Sequence, residues 1–176
     1  WQLSIQKDDI ELRLKSDIVI LANSFGALTL EQTAHLPLRS VRGQVSYVPV
    51  TEKSKKLKYA LNYEGYTAPA RDNFHCVGAT FHPKAKHNTL EQEDQVTNLN
   101  NLITGLKSFA TAINADKQKN NVDLKGRVGF RCQTPDYLPM LGPVPCVEAF
   151  INDYAPLRKG MLRDAMPVGK YHQGLY

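Results

Sequence analysis

Val96, Leu99, Leu102, Ile103, Leu106, Phe109, Ala110 and Ile113 recur at three- and four-residue steps. That spacing places them on one stripe of a single long helix, and the stripe has to bury itself against another layer. Asn88 or Thr89 can cap the helix, and Glu91, Glu93 and Asp94 suit its positive N-terminus. Around this helix the chain supplies mainly strands. Trp1, Leu3 and Ile5, then Ile10, Leu12 and Leu14, alternate with mostly polar residues about Lys7, Asp8 and Asp9, which predicts a hairpin. Residues 17–22 are apolar after Asp17 and predict a strand buried on both faces. Residues 45–50, 57–67 and 74–81 predict strands, the last two joined around Ala70, Arg71, Asp72 and Asn73. Residues 114–121 read as a polar loop, 127–131 as a further strand, Pro135 and Asp136 as a turn, and 148–154 as a short helix. The last twenty residues predict loop or a single helical turn. The fold class is α+β, a mostly antiparallel sheet with one long helix packed on it.

At 176 residues the chain is long enough for a domain with a real core, and its 42% hydrophobic and 22% charged residues suit a globular protein. No apolar run reaches the length of a membrane span, so no membrane partner is expected. Cys76, Cys132 and Cys146 are odd in number and follow no metal spacing, which predicts reduced thiols, a cytoplasmic location and no metal. The net charge of +5 permits a polyanionic partner, with basic clusters at Lys53, Lys55, Lys56 and Lys58, at Lys84, Lys86 and His87, and at Lys117 and Lys119. Solvated loops explain such clusters as well. The chain starts at Trp1 and runs straight into an apparent strand, and it ends abruptly at Tyr176. Both features predict a piece of a longer protein.

Gly-x-Gly-x-x-Gly, the P-loop, His-Glu-x-x-His and Gly-x-Ser-x-Gly are absent from these residues. No catalytic constellation of carboxylates or Cys and His stands out, so no catalytic residue or general base is assigned. The informative stretch runs from Arg127 to Pro143. On a strand, Arg127, Gly129 and Arg131 share one face and Val128, Phe130 and Cys132 the other. With the apolar set turned to the core, Arg131 projects outward beside the open space at Gly129. There it can clamp a carboxylate through two parallel hydrogen bonds. A surface arginine paired with an acid is the commoner explanation of such a residue. Tyr66 can present a hydroxyl to a ligand while its ring forms a wall, or it can be a tyrosine half-buried in a sheet.

Several elements occur in a telling order. They are the strand from Asp17 to Asn23; Arg42, Gly43 and Gln44; Gly65, Tyr66 and Pro69; Gly78, Ala79 and Thr80; and Gly129, Arg131, Thr134, Asp136, Pro139 and Gly142. This order resembles the D-amino-acid-oxidase-like flavoproteins, a family that includes glycine and sarcosine oxidases. The stretch from Pro37 to Ser46 and the stretch from Arg131 to Pro145 are similar to its tRNA-modifying branch. That branch removes the carboxymethyl group from 5-carboxymethylaminomethyluridine at the wobble position of tRNA, using FAD.

The resemblance implies an FAD-dependent amine oxidoreductase acting on tRNA, with Arg131 and Tyr66 binding substrate and Asn23, Arg42 and Gln44 facing the cofactor. It implies three segments: residues 1–30 as a remnant of the FAD-binding domain, 31–146 as the substrate-binding domain, and 147–176 as a C-terminal loop and helix. The dinucleotide-binding half is expected outside these 176 residues. This chain alone is therefore expected to be inactive and free of FAD, and to self-associate through surfaces the other half would cover. A small-amine oxidase of the glycine or sarcosine type shares the clamp and differs in its partner. A non-enzymatic RNA-binding domain is the third reading, and it predicts salt-sensitive tRNA binding without flavin.

Overall fold

The computed structural model describes residues 1–121, 123–160 and 166–176, and they form two compact units. One unit is Arg39–Cys132; the other combines Trp1–Leu38 with Gln133–Tyr176. The architecture is mixed α/β with antiparallel sheets.

The unit Arg39–Cys132 is built on a five-stranded sheet. In chain order its strands are β3 (Arg39–Pro49), β4 (Leu61–Asn62), β5 (Tyr66–Thr67), β6 (Phe74–Gly78) and β7 (Gly126–Gln133); β1 and β2 belong to the other unit. Their spatial order is β4-β5-β6-β3-β7. β3 and β6 run antiparallel with Val45 opposite Gly78, Tyr47 opposite Cys76 and Pro49 opposite Phe74. β5 places Tyr66 opposite Gly78 and Thr67 opposite Val77. Tyr47 N–H donates to Lys125 O at 2.7 Å, while Arg131 lies against Gly43, so β7 runs opposite to β3.

Strand alternation then sorts the side chains. Arg42, Gln44, Ser46, Val48, His75, Val77 and Thr67 are buried on one face. α1 (Gln92–Gly105) packs there, followed by α2 (Lys107–Ala112) and α3 (Ala115–Gln118). The apolar core joins Val48 and Val77 of the sheet to Leu99, Leu102, Ala110, Ile113, Ala115 and Leu124, with Tyr63, Ile103, Leu106 and Phe109 at its margin.

The helical stripe is thus in the core, but one long helix does not carry it. The chain leaves helical geometry at Leu106 (φ −135°, ψ 59°) and restarts at Lys107. Gly105 marks the break: the Tyr63 side chain occupies the space where a Cβ would sit, 2.7 Å from the Tyr63 Cβ. Glycine is also a weak helix former. Glu91 rather than Asn88 or Thr89 precedes the first helical residue, and no side chain caps it. The polar stretch 114–121 contains α3, and the predicted strand 57–67 is reduced to β4 and β5 around the turn that brings Tyr63 N–H to Gly65 O at 2.9 Å. The turn expected between residues 70 and 73 is present, with Asp72 and Asn73 at positive φ.

In the other unit, β1 (Gln2–Lys7) and β2 (Ile10–Lys15) form the expected antiparallel hairpin. Leu3 faces Leu14 and Ile5 faces Leu12. Residues 17–22 do not form the doubly buried strand. Val19 makes an isolated parallel bridge to Leu175, and Ile18 and Ile20 are exposed. A short 3-10 turn follows at Ser24–Thr29. α4 (Val147–Tyr154) carries Phe150, whose ring meets Tyr154 and Tyr171 at 5.2 Å and rests on Gly169. The Trp1 indole N–H donates to Gln173 O at 2.8 Å. Among the described residues no helix is long and apolar enough to cross a membrane.

Candidate active site

The sheet of the Arg39–Cys132 unit has a second face, turned away from α1. Val45 and Tyr47 of β3, Phe74, Cys76 and Gly78 of β6, Tyr66 of β5 and the odd-numbered residues of β7 project from it. Arg131 and Tyr66 are therefore on the same side. The Arg131 guanidinium is exposed and donates one hydrogen bond, from Nη1 to Thr80 O at 3.2 Å. It makes no ion pair among the described residues. Two glycines make room for it. A Cβ at Gly43 would overlap the guanidinium, at 2.9 Å from Cζ, and a Cβ at Gly129 would meet nothing within 4 Å.

Tyr66 is over a third exposed. Burial pushes its phenol pKa above the ordinary value, the neighbouring Cys76 adds to this, and the positive charge of Arg131 acts against both. The phenol is accordingly protonated at neutral pH and available as a hydrogen-bond donor. Burial likewise raises the Cys76 thiol, opposed by Tyr66 and by the charge of Arg127. Cys76 is thus a neutral part of the wall. Tyr63 is turned to the core, its hydroxyl donating to Tyr66 O at 3.2 Å, and desolvation pushes its pKa up to about 12.

Arg42 and Gln44 lie on the opposite, helix-facing side and are fully buried. Arg42 pairs with Asp94 at 2.5 Å and also donates to Gln44 Oε1, Thr89 O and His87 O. Gln44 donates to Glu91 O and accepts from Glu91 N–H. Their polar atoms are occupied inside the protein, so neither is free to hold a flavin. Asn23 belongs to the other unit; its carbonyl accepts from Gly26 N–H at 3.2 Å. Asp136 is a turn residue whose Oδ1 accepts the Leu138 N–H at 3.2 Å. Asp94, placed by the sequence at the helix N-terminus, also contacts His82 at 2.6 Å, a pairing with no sequence signal because the fold brings the two together only in three dimensions. No group of side chains able to hold a metal occurs among the described residues.

The family is fixed by comparison. A model described as FAD dependent oxidoreductase matches residues 1–162, and the chain belongs to that family. The chain is 37% identical over 161 residues to the tRNA 5-methylaminomethyl-2-thiouridine biosynthesis bifunctional protein MnmC of Saccharophagus degradans, covering 92% of this chain and 22% of that protein. Proteins of the same name from Stutzerimonas stutzeri and Chromobacterium violaceum are 35% identical over 162 residues, covering 92% of this chain and 24% of theirs. The chain thus spans about a quarter of the length of these relatives. Its fold is similar to glycine oxidase from Geobacillus kaustophilus (TM-score 0.57, 20% identity, 76% of this chain and 34% of that one). It is also similar to glycine oxidase from Bacillus cereus (TM-score 0.53, 20% identity, 75% and 35%).

Proposed function

We propose that this chain is the substrate-holding part of an FAD-dependent oxidoreductase that removes the carboxymethyl group from 5-carboxymethylaminomethyluridine in tRNA. The observation that carries the proposal is the presence of Arg131, an exposed guanidinium without a carboxylate partner among the described residues, and the protonated Tyr66 phenol on one sheet face. A glycine-like carboxylate supplies the missing anion. Arg131 grips it through parallel hydrogen bonds, and Tyr66 donates a further one. Such a charge-assisted contact contributes about 1.5–3 kcal/mol. Gly43 and Gly129 keep the guanidinium unobstructed. Held by that end, the substrate has its amine-bearing carbon fixed in position, which is the orientation a hydride transfer needs. FAD, the cofactor in the family's description, would supply the two-electron oxidation of that carbon, and the residues on this face would hold the carboxylate end while it occurred. The names of the MnmC relatives support tRNA as the partner.

The test is Arg131→Met in the FAD-loaded enzyme that contains this segment. The expected outcome is a tenfold to hundredfold loss, about the value of the lost contact, in kcat/KM for carboxymethyl removal. Flavin absorbance should stay unchanged. Undiminished turnover would rule out the clamp.

A further inference from the structure

We propose that Lys125 and Arg127 form a phosphate-binding row leading to Arg131, on which a single-stranded stretch of RNA lies with its modified nucleotide at the Arg131 end. This rests on the reading of tRNA as substrate and extends it to the contact that separates tRNA from a small amine.

Arg127, Gly129 and Arg131 of β7 point to the same side of the strand, and Lys125 immediately precedes it. Lys125 Nζ sits 5.8 Å from the Phe74 ring centroid, and Phe74, next to the buried His75 on β6, projects from the open face. Arg127 acts electrostatically on Cys76 of that face. Lys125, Arg127 and Arg131 are all exposed, and none makes an ion pair among the described residues. Alternate strand residues are about 7 Å apart, a separation on the scale of successive phosphates in a ribonucleotide strand. Gly129 interrupts the row and leaves open space between Arg127 and Arg131, where a nucleotide can turn in. Three like charges in one row, Lys125 just before β7 and Arg127 and Arg131 on it, repel one another, and an anionic backbone relieves that repulsion. An isolated small amine has one carboxylate and would leave Lys125 and Arg127 unmatched. The ring of Phe74 beside Lys125 adds a surface against which a base can stack.

The experiment is fluorescence anisotropy with labelled anticodon stem-loop RNA carrying uridine or 5-carboxymethylaminomethyluridine at the wobble position. The RNA is titrated with the 176-residue chain at several salt concentrations. Lys125→Gln with Arg127→Gln should weaken both RNAs at least tenfold and lower the slope of log affinity against log salt by about 1.4, roughly 0.7 for each phosphate of a single strand. Arg131→Met should erase the preference for the modified RNA and leave the slope for the unmodified one unchanged. Lys84→Gln with Lys86→Gln, a second exposed basic pair, should change neither. Circular dichroism melts that match the original chain would exclude unfolding as the cause. The row is overturned if the Lys125 and Arg127 pair leaves the slope intact, if the Lys84 and Lys86 pair lowers it equally, or if the chain binds neither RNA. A lost preference in Arg131→Met beside an intact slope in the Lys125 and Arg127 pair would remove the row and keep the clamp. The converse would remove the clamp and keep the row.

Discussion

Arg42 and Arg131 are the same side chain in opposite circumstances. Arg42 is wholly buried against Asp94 on the helix side of β3, and Arg131 is exposed on the other side of the sheet. Burial alone would raise the Asp94 pKa, but hydrogen bonds and charge from Arg42 and His82 outweigh it and hold the carboxyl below its ordinary value of 3.8. A lowered folded-state pKa stabilises the protein above the unfolded value and ceases to do so as pH falls through the folded one. Asp94→Asn should cost about 3 kcal/mol at neutral pH, because it leaves the buried guanidinium only the more distant, partly exposed Glu91 carboxylate at 3.6 Å. The original chain should lose stability on acidification below the ordinary carboxylate range more steeply than the variant. Urea midpoints measured across pH would check both. Alternation within Arg127, Gly129 and Arg131 made their shared face legible from the sequence. The burial of Arg42 and Gln44 was not legible, because polar residues give no hydrophobic sign of which face meets a helix. Their partners, among them Asp94, lie some fifty positions away in the chain.

Among the elements, the hairpin β1–β2 and the strand β7 were legible because side-chain alternation is local. The break between α1 and α2 was not, because Leu106, Phe109, Ala110 and Ile113 stay in the core after the backbone leaves helical geometry. Periodicity reports which residues face the core and is silent about a kink that preserves the facing. The apolar run 17–22 misled for another reason: a doubly buried strand needs partners on its edges and layers on its faces, and among the described residues it has only the bridge to Leu175. Leu102 of α1 is fully buried in the core cluster that also holds Val48 and Val77 of the sheet. Leu102→Ala should therefore destabilise the Arg39–Cys132 unit by about 2–5 kcal/mol, read as a lower chemical-denaturation midpoint, whereas truncating the exposed Leu141 should change little.

At the scale of the whole molecule, helices α1 to α3 belong to one unit, while the first and last segments of the chain meet in the other. Trp1 is the single tryptophan of the chain, tied to Gln173 and set edge-on to His172 with ring centroids 6.1 Å apart. Its intrinsic emission is consequently a reporter planted in one unit alone, whereas far-ultraviolet ellipticity is weighted toward the helices of the other. A thermal ramp followed by both signals should give coincident curves if the chain melts as one cooperative block, and separated curves if each unit melts alone. Detaching the final four residues should redden the indole spectrum while the helical signal holds.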